Sequence, residues 1–563
     1  MPIATLPNPW YYLDNFEFVL RWVARRYPDL LSDDERSFLD GFHALPRPAR
    51  GLLVRMVMRK GTLFRAGKLN YGEIGDTAQA AAPLIRLGWV NLAAPLTLDE
   101  LFRLLTRTEI GILFGDTLTR LGLKTAAKAA QLEALREQNM DDPRTWAQWL
   151  EYTQTPDAAI DDTIYQICVL PLCDRLRLMF FGNLRQDWSE FVLADLGLYA
   201  YEQVGFPASA RAFVSRQDID DYLQLHGCRE QIEMADDEAS LATALQAIPR
   251  HPFDNEWLES RRTRLLFRAG QQCERHRLWQ HALDCYMRSA ERGARARQIR
   301  MLERLAQHKQ ALVLAREALC APRCEAERQA VDRMLPRLSR LCGSSLKRRP
   351  AALPAQRIDL TLPPPALPMR VEDEVRAYLH EPQAPAFYVE NTLINSLFGL
   401  LCWDAIFACI PGAFFHPYQH GPADLLQPGF RQRRDALFAA CLAQLDGRAY
   451  LQTIRRNYQA KRGLQSPFVY WGELTSDLLE LALACIAPSH LLAVFSRMLD
   501  DIRDNRAGLP DLVQFWPDEG RYCLIEVKGP GDRLQDNQLR WLAYCREHGI
   551  DVRVCHVQRP AAA

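Results

Sequence analysis

Apolar positions recur at helical spacing over most of the chain and at strand spacing only near its end. Phe16, Val19, Leu20, Val23 and Tyr27 fall at i, i+3, i+4, i+7 and i+11, the buried stripe of one helix. Thr97 followed by Asp99 and Glu100 marks another helix start. From 151 to 240 the polarity is mixed and predicts further helices without assignable chemistry. Residues 243–342 read as helical hairpins. Small residues (Ala269, Gly270, Ala282) lie between the aromatic Phe267 and Tyr286, and a second pair follows in IRMLERLAQHKQALVLAREAL. Leu393, Leu397, Leu400 and Leu401 predict a helix with Glu390 one turn above its first leucine. Beyond Gly508 the pattern changes. LVQFW, a Pro-Asp-Glu-Gly turn and RYCLIEVK read as two strands, followed by a helix from about Asp532 to His548 and a last strand, IDVRVCHV.

The segment 343–369 carries six prolines and little helical pattern, and reads as a linker. It divides a helical body from a C-terminal domain. The expected layout is a helical basic domain over 1–75, a small helical domain over 76–150, helical hairpins over 151–342, the linker, and an α/β domain over 370–563. A chain of 563 residues has room for several domains at about 150 residues each.

Composition narrows the possibilities. Lys+Arg and Asp+Glu are both 69, so the chain is neither a uniformly basic nucleic-acid coat nor an acidic tail. Hydrophobic content of 48% excludes wholesale disorder. The longest apolar stretch, Leu393 to Phe415, is interrupted by Asn395, Ser396, Asp404 and Pro411, so no membrane association is expected. The N-terminus lacks the basic head and apolar core of a secretory signal, and a cytoplasmic location is the expectation. The fifteen cysteines form no C-x-x-C pair and read as buried thiols of a reducing compartment.

Although the chain is neutral, its charge is segregated. Between Gly41 and Asn70 lie Arg47, Arg50, Arg55, Arg59, Lys60, Arg65 and Lys68, with no acid among them. Such a patch suits phosphate contacts, and Arg55, Arg59, Lys60, Arg65 and Lys68 are the candidate DNA-binding residues; the bland alternative is pairing with acids elsewhere in the fold. Between Trp257 and Arg304 twelve arginines face five acids, a second candidate phosphate-facing surface.

The last two hundred residues carry the chemistry. Residues i and i+2 of a strand share a face, so Glu526 and Lys528 project together while Val527 points to the opposite core. Asp511 opens the neighbouring strand, and pairing through the short turn brings it towards Glu526. Two carboxylates held together repel unless a cation lies between them, and a hard divalent ion takes oxygen ligands. A lysine beside them can position a water or neutralise charge developing on a phosphate.

This Pro-Asp…Glu-Val-Lys arrangement resembles the PD-(D/E)xK nuclease superfamily. With Gly508, EVKGPGDRL, the following Gln538-Leu539-Arg540-Trp541 and the final strand, it resembles the VRR-NUC domain. The short helices flanking Gly122-Leu123-Lys124-Thr125 resemble a SAP-type DNA-binding module, and the hairpins resemble tetratricopeptide repeats. WYYLDNFEFVL, VRMVMRKGTLFRAGKLNYGEI, VENTLINSLFGLLCWD and GLPDLV follow the order of the Fanconi-anemia-associated nuclease family, in its bacterial form.

The resemblance implies a mostly α N-terminal body, with SAP-like and TPR-like helices, ahead of an α/β restriction-endonuclease-like VRR-NUC domain. It implies a Mg²⁺- or Mn²⁺-dependent DNA phosphodiesterase: a structure-selective 5′-flap endonuclease with 5′–3′ exonuclease activity, acting in interstrand-crosslink repair. Glu390, Asp511, Glu526 and the Val527 carbonyl map onto the family's ligands for one or two ions, and Lys528 onto its catalytic lysine. Asp404 reads as a structural acid instead. Gln538 is a candidate phosphate contact. The implied partner is branched DNA with a 5′-phosphate end, bound by a monomer or a DNA-dependent assembly. No Cys/His set has zinc-finger spacing, so ubiquitin-dependent recruitment is not carried over. The alternatives are a VRR-type Holliday-junction resolvase and a non-catalytic DNA-binding repeat scaffold.

Overall fold

A computed structural model describes residues 8–560 apart from 139, 141, 154–159, 208–209, 344–355, 364 and 366. The chain divides into two units, 1–199 and 200–563. Among the described residues no single helix is long and apolar enough to cross a membrane.

In the first unit, the expected stripe buries Phe16, Val19, Leu20 and Val23 along the helix Tyr11–Arg26. Thr97 caps the helix Leu98–Leu104, accepting from the Glu100 amide while the Glu100 carboxylate accepts from the Thr97 amide. Arg107–Arg120 and Lys128–Glu137 are the two helices around Gly122. A small antiparallel sheet was not expected. Its strands β1 (Leu63–Arg65), β2 (Val90–Asn91) and β3 (Ile164–Ile167) run in the order β1-β3-β2. The all-helical readings of 1–75 and 151–240 are corrected there: strands of two to four residues are too short to show a period of two.

In the second unit the helices Arg216–Met234 and Glu238–Ala247 precede the hairpins. The helices Glu256–Arg275 and Trp279–Met287 approach so closely that a Cβ on Gly270 would lie 2.7 Å from the Tyr286 ring. Ala294–Arg304, His308–Cys320 and Glu325–Leu341 continue the array.

A five-stranded sheet follows: β4 (Gln356–Thr361), β5 (Ala386–Tyr388), β6 (Leu512–Trp516), β7 (Arg521–Lys528) and β8 (Val552–Gln558), in the order β4-β8-β7-β6-β5. β5-β6-β7 are antiparallel, whereas β8 is parallel to both β7 and β4. The linker reading of 343–369 is corrected at β4. Only Ile358 and Leu360 of this edge strand turn towards the core, so its apolar signal is thin; 344–355, 364 and 366 lie outside the described residues. The helix Asp536–Glu547 makes the crossover that parallel β7 and β8 require.

The sheet separates two cores. Leu512, Cys523, Ile525, Val527, Cys555 and Val557 pack on one face with Val375. Val513, Phe515, Tyr522, Leu524, Val552 and Val554 pack on the other with Trp541 and Leu393–Leu401. All nine residues of that helix are buried, more than the predicted leucine stripe. All fifteen cysteines are free thiols; Cys168, Cys320 and Cys409 are exposed, not buried as expected.

Candidate metal centre and nucleic-acid surface

Strand alternation places the acids. On β7 the side chains of Tyr522 and Leu524 enter one core, and Glu526 and Lys528 continue that row. On β6, Val513 and Phe515 enter the same core, and Asp511 begins their row. Leu512 pairs with Ile525, so Asp511 stands opposite Glu526. Val527 points into the other core.

The Val527 amide donates to Asp511 Oδ2 at 2.8 Å, tying the Asp511 carboxylate to the strand that carries Glu526. Lys528 Nζ lies 2.6 Å from Glu526 Oε1. Apart from this ion pair, neither oxygen of the fully buried Glu526 has a hydrogen-bond partner. Burial pushes Asp511 up to about 6, against the lowering effects of the Val527 amide and Lys528. Burial and the neighbouring Asp511 push Glu526 up to about 8, with Lys528 again opposing. The field of Glu390 raises both.

Glu390 arrives from another direction. β5 runs antiparallel to β6, and the Val389 amide donates to the Asp511 carbonyl at 2.8 Å. Glu390 then sits in the turn between β5 and the helix Leu393–Leu401, not in that helix's first turn as expected. Its Oε2 accepts from the Tyr388 hydroxyl at 2.6 Å and its Oε1 from Asn391 Nδ2 at 3.3 Å. Tyr388 and Asn391 were not singled out in the sequence, where only their adjacency to Glu390 could have marked them. Asp404 is an exposed acid 4.0 Å from Arg456.

Among the described residues no three His, Cys, Asp or Glu side chains already cluster as a metal cage, since Glu526 is drawn to Lys528 and Glu390 to Tyr388. The donor set nonetheless fits a hard cation. It is all oxygen, two of its carboxylates are buried with raised proton affinity, and beyond Lys528 the Glu526 oxygens have no partner. A divalent ion is a partner that removes the cost of holding both acids charged.

The basic patch separates into two groups. Arg65 is nearly buried, its guanidinium bonded to Asp162 and Glu109 at 2.7 Å each. Of the residues expected to meet phosphate, Arg65 is thus the one that ties β1 to two acids. Arg55 bonds Glu73 and lies over the Tyr12 ring, 3.7 Å from its centroid. Arg50 pairs with Glu17. Arg59, Lys60 and Lys68 are exposed, with Arg59 over Tyr71. Acids distant in the chain thus neutralise part of the run, and the exposed cations form a narrower face.

In the second basic stretch, Arg262 pairs with Glu259, Arg295 with Glu327 and Arg297 with Glu274. Arg268, Arg300 and Arg304 are exposed around a crevice of about 1250 Å³. Gln538 is the third residue of its helix, and its Oε1 accepts from the Gln535 amide at 2.8 Å, closing the N-terminal cap.

Three family models match the chain: the FAN1 HTH domain over 10–91, the Fanconi anemia-associated nuclease SAP domain over 95–149, and the VRR-NUC domain over 447–559. The last contains Asp511, Glu526 and Lys528, while Glu390 lies ahead of it. The Fanconi-associated nuclease 1 homolog of Pseudomonas aeruginosa is 52% identical over 98% of this chain and 96% of its own length. Crystal structures of paFAN1 bound to 2-nt and to 1-nt 5′ flap DNA with gap superpose with TM-scores of 0.95 and 0.92, each 52% identical in sequence. They cover 100% and 99% of this chain, and 100% of each solved chain. Matched along nearly its whole length at this identity, the chain belongs to the Fanconi-associated nuclease 1 family.

Proposed function

We propose that this protein is a divalent-metal-dependent phosphodiesterase that cuts branched DNA bearing a 5′ flap. We further propose 5′–3′ exonucleolytic resection and a role in interstrand-crosslink repair. The carrying observation is the convergence of Asp511, Glu526 and Lys528 on one face at the ends of paired strands, with two buried acids of raised proton affinity.

Glu390, Asp511, Glu526 and the Val527 carbonyl would hold the cation, Mg²⁺ or Mn²⁺. When bound, it supplies a Lewis acid that lowers the pKa of a ligated water and offsets charge on the scissile phosphate. The protein's own part is positional. The Val527 amide fixes Asp511, so the carboxylate need not reorganise during reaction. Lys528, held beside Glu526 at the sheet end, orients the attacking water and offsets charge growing on the phosphate oxygens. Water oxygen bonds to phosphorus, the phosphorus–O3′ bond breaks, and the departing oxygen takes up a proton, leaving a 5′ phosphate and a 3′ hydroxyl. Exposed Arg59, Lys60 and Lys68, with Arg55 at their edge and Gln538 at its helix start, contact backbone phosphates. Such contacts position DNA without reading bases, so recognition is by junction shape and the 5′ end.

The test is cleavage of end-labelled 5′-flap, 3′-flap, nicked and fork substrates in Mn²⁺, Mg²⁺ and EDTA. We expect cutting of the 5′ flap in either metal and none in EDTA. Undiminished cutting in EDTA, or no preference for the 5′ flap, rejects the proposal.

A further inference from the structure

The turn carrying Glu390 has no regular ladder to hold it against the segment leading into Asp511. The β5–β6 pairing ends with the Val389 amide on the Asp511 carbonyl. Beyond that point the two segments are joined by asparagines. The Leu509 amide donates to Asn391 Oδ1 at 3.1 Å. Asn395 Nδ2 donates to the Asn391 carbonyl at 2.6 Å and to the Arg506 carbonyl at 2.8 Å. Asn391 also reaches Glu390 itself through Nδ2. To do this its backbone adopts φ +53°, the left-handed region. Asparagine is among the few non-glycine residues that tolerate this conformation, and a strained residue persists where its surroundings over-determine it.

We propose that Asn391 is a positioning residue, setting the Glu390 carboxylate against Asp511 through its side-chain bond to the Leu509 amide. This rests on the divalent-metal reading above and names a residue that is not itself a ligand. Residues that orient metal ligands affect metal affinity by about 10–100-fold when changed.

Two variants separate this role from a purely structural one. Asn391→Gly is relaxed at positive φ and deletes every side-chain contact. Asn391→Asp keeps the Oδ1 acceptor for Leu509. Mn²⁺ binding to the DNA-free protein is measured by calorimetry, with thermal unfolding in EDTA and flap cleavage alongside. We expect Asn391→Gly to weaken Mn²⁺ binding by about tenfold or more. It should shift the Mn²⁺ midpoint of cleavage equally and leave the Tm in EDTA within a few degrees. Asn391→Asp, which keeps the registering acceptor but sets a second carboxylate beside Glu390, should lose less Mn²⁺ affinity than Asn391→Gly. Unchanged Mn²⁺ affinity in Asn391→Gly, or equal loss in both variants, overturns the assignment. If the unsubstituted protein itself binds no Mn²⁺, the metal reading fails and takes this one with it. Normal binding there with an unmoved Asn391→Gly sinks the positioning role alone.

Discussion

The amide of Val527 donates to the carboxylate of Asp511, so the residue whose carbonyl is a candidate ligand also orients a candidate ligand on the neighbouring strand. Asp511 is thereby held to the strand that carries Glu526 by a backbone amide rather than by a long flexible side chain.

An amide side chain can preserve that bond while losing the charge. Asp511→Asn keeps an oxygen acceptor for the Val527 N–H and removes the buried negative charge. We expect it to fold with an unchanged or higher Tm and to lose flap cleavage by at least about 10²-fold, with flap affinity within a few-fold. Gel cleavage, fluorescence anisotropy and thermal unfolding report the three quantities. A variant that still cuts removes Asp511 from the centre.

Much of this centre was legible because its strands alternate. Tyr522, Leu524, Glu526 and Lys528 share one row by period alone, and Val527 falls on the other face as that period demands. Asp511 and Glu526 lie only fifteen residues apart, across a single tight turn. What escaped was long-range. Arg65 looks like a surface cation until Asp162, nearly a hundred residues away, is folded beside it. β4 finds its partner in β8 almost two hundred residues later, so no local pattern announces the pairing. Leucine spacing from Leu393 points to a helix near Glu390, but periodicity carries no information about the left-handed Asn391 within the intervening turn.

Raised proton affinity sets a pH dependence of stability. Asp511 and Glu526 keep their protons to about 6 and about 8 in the fold, but release them near ordinary carboxylate values when unfolded. Between those limits the native state binds more protons, so stability falls as pH rises from about 4.5 to 8. A divalent ion that favours the charged forms offsets this loss. In differential scanning fluorimetry, the metal-free protein should lose Tm across that window, and Mn²⁺ should raise Tm more at pH 8 than at pH 6. Glu526→Gln should flatten both trends. A pH-independent Mn²⁺ effect would argue against binding at these acids.

Gly508 approaches the chain that follows the site. Its φ is +89°, and a Cβ there would lie 2.7 Å from the Asn537 side-chain nitrogen. Asn537 belongs to the helix Asp536–Glu547, whose Trp541 indole N–H donates to the Ala507 carbonyl at 3.2 Å. Gly508→Ala meets both backbone strain and a clash, and should cost about 1–3 kcal/mol in urea unfolding. Because the segment leads directly into Asp511, cleavage at saturating DNA should fall as well. A stability change under about 0.5 kcal/mol would show that the turn adapts freely.

The division within the basic run makes a contrast between two arginines only six positions apart. Arg59 is exposed, while Arg65 is held by Asp162 and Glu109. Replacing Arg59, Lys60 and Lys68 with Glu should weaken flap binding and reduce the dependence of log K on log salt by about one for each lost phosphate contact. Thermal stability should stay nearly constant, because exposed cations contribute little to folding. Arg65→Ala should behave oppositely. It leaves two carboxylates without their shared cation and should destabilise the protein by about 3 kcal/mol, with an unaltered salt slope for the fraction that remains folded. Salt-titrated anisotropy and urea unfolding on both variants give four numbers. Equal loss of affinity in the two, with no difference in stability, would place Arg65 on the DNA surface after all.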